Sequence, residues 1–463
     1  MNSRFAEHVD RWVEDIQLSA PRAQGVLTRV VGLTLEATGI NAPIGSRCDV
    51  ISPDGSSIQT EVVGFAEDRL LLMPFERTRG IAPGHRVVVR TTNSSFGFSP
   101  DLLGRVIDGM GHPLDGGAPI VATAYRPITA DPINPLHRRP ITEKLDVGVR
   151  AINSLLSLGR GQRIGLMAGS GVGKSVLLGM MTRFTSADVV VIGLIGERGR
   201  EVNEFVRDTL GEEGMKRAVV IAAPGDTSPV SRLHGASLAT AVAEYFRDQG
   251  KNVLLLMDSL TRVAHAQREI GLAVGEPPTT KGYPPSVFTL LPSLIERAGN
   301  SNVANGSITA IYTVLAEGDD QQDPIVDSAR AILDGHIVLT RELAAQGHFP
   351  AIDILQSVSR LMPQLASPTH LEAASEFRRL YSAFEEHKDL ISVGAYQRGS
   401  NPDVDQALAR LSFMRSFLKQ DMKTAVGLSE SIHYLENIPE DVEQESPKPM
   451  QINRSSQSAV LEG

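Results

Sequence analysis

The chain is nearly without cysteine. Cys48 stands alone among 463 residues, so no internal disulfide can form and a thiol-ligated metal centre is all but excluded. A reducing cytoplasm fits that usage best. Aromatic residues are scarce at 5%, with a single tryptophan. Positive charge is outweighed: 45 Lys and Arg against 54 Asp and Glu leave a formal net charge of −9, so no global positive field exists to hold a polynucleotide by its phosphates. Long apolar runs are missing as well. The longest, Val189–Ile195, falls far short of the roughly 18 residues a membrane span requires. Charged residues (Arg4, Glu7, Asp10, Arg11, Glu14, Asp15) interrupt the first twenty positions, which argues against a secretory signal.

What is present, 41% hydrophobic and 21% charged residues, is the balance of a folded soluble protein. At roughly 150 residues per domain, the length allows about three domains. Phe5, Val9, Trp12, Val13 and Ile16 recur at helical spacing and predict an amphipathic helix over residues 1–20. Such a stripe can pack on the chain's own body or dock a partner or membrane surface. The lone Trp and the polar residues behind it favour docking. Residues 21–95 turn to short β-rich runs punctuated by Gly and Pro, the pattern of a small β-barrel. A Pro-rich stretch from Pro119 to Pro140 reads as a linker. From Val147 to about Leu365 apolar strands (163–167, 189–193, 218–222, 253–257, 308–315 and 337–339) alternate with helical stretches, which predicts an α/β domain on a parallel sheet. With its linker this domain is placed at 96–369. Residues 370–438 read as a helical C-terminal domain, and 439–463 as a disordered tail.

The strand 163–167 runs into Ala168-Gly169-Ser170-Gly171-Val172-Gly173-Lys174-Ser175, and Val176 opens the apolar face of a helix. Glycines at such a turn let successive backbone N–H groups converge on phosphate oxygens. Lys174 can then reach the β- and γ-phosphates, the Ser175 hydroxyl can ligate Mg²⁺, and the helix N-terminus adds its dipole. Ala168 stands where a first glycine is usual, and is small enough for the turn. A second Mg²⁺ anchor is expected at the end of a neighbouring buried strand. Asp258, closing Val253-Leu254-Leu255-Leu256-Met257, fits that place. Hydrolysis also needs a base to direct water. Glu197 follows the strand 189–195 at its carboxyl end, 23 residues after Lys174, on the edge where open α/β sheets carry ligands.

Together, the phosphate loop, Gly196-Glu197-Arg198 and Met257-Asp258-Ser259-Leu260-Thr261-Arg262 resemble the catalytic subunits of rotary ATP synthases and their relatives, over about residues 25–435. The stretches Met167–Met180 and Gly282–Phe288 are similar to type III export ATPases, and Gly394–Pro402 leans toward the flagellum-specific branch. The resemblance implies a β-barrel, a RecA-like core and a helical C-terminal domain, assembled as a homohexamer that hydrolyses ATP with Mg²⁺ at subunit interfaces. It implies that Arg360 is an arginine finger acting in the adjacent subunit, and that Arg198 contacts phosphate; pairing with Glu201 or Glu204 is the plainer use of Arg198. It puts Phe349 against adenine and Tyr396 on the base's other side, and sets 318–323 and 282–285 around the ring's opening, where they could grip an axial coiled-coil stalk. The partners it implies are an export regulator on the N-terminal helix, an export gate at the membrane, and export substrates or chaperones. The location is cytoplasmic, peripheral to the inner-membrane apparatus. A virulence-type secretion ATPase and a noncatalytic-partnered synthase subunit share this chemistry. A RecA-like RNA translocase shares the Asp-Ser-Leu-Thr-Arg strand end, but residues 25–92 hold Phe65 and Phe75 with no Trp or Tyr, a poor nucleic-acid barrel. An inactive nucleotide-binding scaffold would lack the base that Glu197 supplies.

Overall fold

The computed structural model describes residues 24–76, 78–91, 95–315 and 323–438. The expected N-terminal helix, most of the 318–323 loop and the C-terminal tail lie outside the described residues. Six strands, β1 (Gln24–Val31), β2 (Thr34–Thr38), β3 (Arg47–Ile51), β4 (Ser57–Ala66), β5 (Arg69–Pro74) and β6 (Arg86–Thr91), close an antiparallel barrel in the order 1-2-5-4-3-6. Alternation makes it. In β3, Cys48 and Val50 point inward while their neighbours are half exposed, so one face of each strand supplies the interior with Leu27, Leu35, Val62, Leu72 and Val87.

Two short pairings follow, β7 (Ser95–Phe98) with β9 (Ala124–Pro127), and β10 (Lys144–Leu145) with β11 (Leu158–Gly159). The main sheet takes in β8 (Val106–Asp108), β12 (Arg163–Ala168), β13 (Val189–Ile195), β14 (Ala218–Ala223), β15 (Asn252–Asp258), β16 (Gly299–Asn300), β17 (Ser307–Leu315), β18 (Gly335–Leu339) and β19 (Ile352–Ser359). Its order is 19-18-12-17-15-13-14-8, with β16 paired to β17 off that path. The six strands expected from sequence are all parallel, as β12–β17 and β13–β15 illustrate. Two edge strands were not expected. β19 runs antiparallel to β18, and β8 joins from residues just ahead of the Pro119–Pro140 stretch read as a linker. Three residues are too few to show a period, and β19 has a register shift against its partner that breaks its alternation.

Both faces of the sheet are covered, so its central strands read as unbroken apolar runs; every residue of β13 and β14 is buried. Side chains of β13 alternate between two cores. Val190, Ile192 and Leu194 belong to the core that holds the phosphate-loop helix, while Val189, Val191 and Ile195 belong to the core of the helices Pro229–Asp248 and Leu260–Ala273. The C-terminal helices Pro368–Ser392, Pro402–Leu418 and Leu428–Glu436 contribute Phe377, Phe384, Phe413, Phe417 and Leu435 to the first core. Sheet and C-terminal helices therefore share a single apolar interior.

Because Phe377 is fully buried at that junction, Phe377→Ala is expected to cost about 3–5 kcal/mol of stability. Denaturant titration of the variant against the parent measures it; a loss below about 1 kcal/mol would mean that the helices pack loosely on the sheet.

Candidate active site

The site grows from the carboxyl end of β12. The chain leaves Ala168 and turns through Gly171 and Gly173, whose φ angles of 79° and 90° favour glycine, before entering the helix Lys174–Phe184 with Gly173 as its N-cap. First-turn N–H groups of a helix lack intrahelical acceptors, so this end presents donors and a positive dipole to an anion. Gly169, Ser170, Gly171, Gly173, Lys174, Ser175 and Val176 line one cleft of about 540 Å³. Val172 does not; it is buried in the apolar core and anchors the loop from beneath.

Lys174 binds both expected carboxylates. Its ammonium donates to Glu197 Oε1 at 3.1 Å and to Asp258 Oδ1 at 2.5 Å, with the three side chains 13%, 14% and 6% exposed. Burial alone would lower the lysine's pKa, but the carboxylates of Asp258 and Glu197 outweigh it and hold the ammonium above the ordinary lysine range. Asp258 closes β15, which is not next to β12: β17 lies between them, and its buried Thr313 hydroxyl donates to the same Oδ1 at 2.6 Å. The neighbouring strand expected to carry the second anchor is thus next but one. Ser259 follows as N-cap of the helix Leu260–Ala273, accepting from the Arg262 N–H.

Glu197 is held by a shaped turn. Gly196 has φ 75°, and a Cβ there would fall 2.6 Å from Arg262 Cβ, so Arg262 packs directly over the glycine. The Glu197 carbonyl also accepts from Gly225 N–H at 3.0 Å. Arg198 lines the cleft with its side chain 81% exposed and 3.7 Å from Glu201, a weak surface pair that leaves it able to turn to an anion. The sequence reading assigned no role to three other lining residues, Arg262, His265 and Arg341. Arg262 and His265 lie one and two helical turns past Asp258, a spacing that could have marked them. His265 also stacks on buried Tyr283, which anchors the turn at Lys281 and Gly282.

The remaining candidates scatter. The Phe349 ring lies beside the loop, 3.5 Å from where a Cβ on Gly173 would stand, and the residue is 47% exposed. Tyr396 belongs to the junction of two C-terminal helices: its hydroxyl donates to the Asn401 carbonyl and bonds Asp405, both at 3.0 Å, and its ring meets His387 edge-on. Among the described residues no ring contact joins it to Phe349. Arg360 sits at the opposite edge of the sheet. Ser359 pairs with Gly335 at the start of β18, whereas Ala168 pairs with Leu339 at its end, so on the order of 13 Å of strand separates Arg360 from the loop of its own chain. Its guanidinium donates to the Arg330 carbonyl at 3.1 Å.

Beside Phe349, the buried imidazole of His348 has its pKa pushed down to about 4 by burial, with Lys419 and Arg415 adding to the effect. The folded chain therefore stays unprotonated there between pH 6.5 and 4 while the unfolded chain takes up the proton, so stability must fall as pH drops through that window, by at most about 3 kcal/mol. Denaturation of the parent and His348→Gln across pH 7 to 4 tests this. Equal slopes in the two proteins would refute it.

Comparison with known proteins agrees with this geometry. Residues 27–91 and 148–359 match the beta-barrel and nucleotide-binding domains of the ATP synthase alpha/beta family, and residues 366–437 match the C-terminal domain of the T3SS EscN ATPase. The flagellum-specific ATP synthase of Pseudomonas aeruginosa is 57% identical over 431 residues, covering 92% of this chain and 96% of its own length; that of Salmonella typhimurium is 56% identical over 432 residues, covering 91% and 94%. The assembled ATPase EscN of the enteropathogenic E. coli type III secretion system is 44% identical with a TM-score of 0.85, and EscN in complex with its central stalk EscO is 43% identical with a TM-score of 0.82; each covers 89% of this chain and 99% of the other. From its barrel to its C-terminal helices, the chain belongs to the ATP synthase alpha/beta family, among the flagellum-specific and type III secretion ATPases.

Proposed function

We propose that this ATPase works as a ring of identical copies, six in number, hydrolysing ATP at the boundaries between them to energise flagellar protein export. The observation that carries the reading is the meeting of Lys174, Glu197 and Asp258 at one helix N-terminus. In this reading a triphosphate takes over the lysine's ammonium through its β- and γ-oxygens, which releases both carboxylates for other work. Glu197 then accepts a hydrogen bond from a water in line with the γ-phosphorus and draws off its proton as the new P–O bond forms and the bond to the ADP oxygen breaks. Arg198 has the freedom to meet the phosphoryl charge.

The donor set fits Mg²⁺. Two carboxyl side chains share a single ammonium in the buried cluster, and the Ser175 hydroxyl lines the same cleft, an oxygen-donor set that suits a hard divalent cation. Ser175 and Asp258 would hold the ion, which supplies charge neutralisation on the phosphate oxygens. Phe349 supports the base. Tyr396 has its hydroxyl committed elsewhere, and we retain it only as a neighbour of the C-terminal junction.

Arg360 supports the ring. Its position beyond the sheet edge opposite its own loop supports the reading that it acts on the site of an adjacent copy, where it stabilises charge on the transferring phosphoryl group. We divide the chain into a docking segment (1–20), barrel (21–95), nucleotide domain with linker (96–369), helical domain (370–438) and tail (439–463). The docking segment would take an export regulator, and the loop at 318–323 with the turn at 282–285 would face an axial coiled-coil stalk. The C-terminal helices would face the membrane export gate and its substrates or chaperones, so that the ring works at the inner membrane from the cytoplasm. Among the described residues no helix is long and apolar enough to cross a membrane. Secretion of the virulence type is the second reading, favoured by the likeness to EscN, but the higher identity to the flagellum-specific relatives ranks it below flagellar export.

Glu197→Gln is expected to keep nucleotide affinity within about twofold and lose turnover by about 100-fold or more. Equilibrium nucleotide binding and steady-state phosphate release measure the two, and normal turnover would remove Glu197 from the reaction. Arg360→Ala and Lys174→Ala proteins should each be inactive, yet recover activity when mixed, because about a quarter of the interfaces in a random head-to-tail ring then combine an intact lysine with an intact arginine. Absence of recovery would argue against an arginine acting across the interface.

A further inference from the structure

We propose that Gln420, in the turn after the second C-terminal helix, is a positioning residue for the base end of the nucleotide site. The inference rests on the reading of the Gly169–Ser175 loop as a phosphate site and of Phe349 as the base contact. Four hydrogen bonds carry it. The Gln420 backbone N–H donates to the Phe349 carbonyl at 3.0 Å. Its side-chain Oε1 accepts from the Arg150 N–H at 2.8 Å, and Nε2 donates to the Gly148 and Thr424 carbonyls, each at 2.7 Å. One residue thus joins three pieces of backbone: its own N–H holds the turn carrying Phe349, and its side chain ties that N–H to the start of the helix Arg150–Leu155 in the nucleotide domain and to the chain leading to the last helix.

Surroundings leave this clip little freedom. The buried Arg150 guanidinium donates to the carbonyls of Ser416, Phe417 and Lys419, capping the end of the helix Pro402–Leu418, and lies over the Phe417 ring at 5.3 Å. On the far side Arg183, near the end of the phosphate-loop helix, donates to the Met422 carbonyl at 2.8 Å. The Phe349 ring itself is half exposed, and packing alone does not fix its place beside Gly173. Its backbone is fixed through Gln420. A residue that acts through Phe349 should affect recognition of the base and leave recognition of the phosphates alone.

The test uses the full-length assembled ATPase with Gln420→Met, close in volume, and Gln420→Asn, which keeps the amide but shortens its reach. Both should raise the KM for ATP about fivefold to tenfold, with kcat within about twofold and with the inhibition constant of inorganic tripolyphosphate unchanged. Phe349→Ala should do the same, and adding Gln420→Met to it should change little further. Equal weakening of ATP and tripolyphosphate, a fall in kcat at constant KM, or effects that multiply in the double variant would overturn the assignment. If tripolyphosphate fails to compete with ATP in the parent protein, the phosphate-loop reading itself fails, and this inference fails with it.

Discussion

One buried ammonium shared by two carboxylates organises this protein. Lys174 can remain charged at its depth only because Glu197 and Asp258 meet it there, and they can lie so close together only because it stands between them. Against its burial, the two carboxyl groups hold the lysine's pKa above its ordinary range, while burial and Glu197 push that of Asp258 up. In the proposed reaction an incoming polyphosphate would compete with these carboxylates for the lysine. Thr313, Gly196 and Arg262 hold the carboxylates in place by hydrogen bonding and by packing.

The sheet gives the site its polarity. All the strands that carry the loop, the aspartate and the glutamate end on the same edge, because they run parallel. The one antiparallel strand at the far side, β19, returns the chain to the other edge and leaves Arg360 there. With its phosphate loop on one edge and the proposed finger on the other, the chain has the arrangement that the proposed head-to-tail ring requires.

The C-terminal helices are more than an appended module. They share an apolar core with the face of the sheet that supports the phosphate-loop helix, and their connecting turn is hydrogen-bonded to Arg150 and to Arg183 near the end of that helix.

Much of this was legible in the primary structure where the governing physics is local. The loop from Ala168 to Ser175 is a strand, a glycine turn and a helix start in immediate succession, and doubly covered strands such as Val189–Ile195 declare themselves by continuous apolarity. Glu197 and Asp258 could be nominated because each ends such a strand. Their convergence could not be read, since it depends on a strand order in which β17, which begins 49 residues after Asp258, is inserted between β12 and β15. Likewise β8 and β19 took their places from backbone pairing that no period encodes, and Gln420 looks like any polar residue after a helix until the fold brings Phe349 and Arg150 to it. Chemistry carried by neighbours along the chain was determined by the sequence itself; chemistry made by neighbours in space was decided by tertiary structure, because only packing selects which strand ends stand side by side.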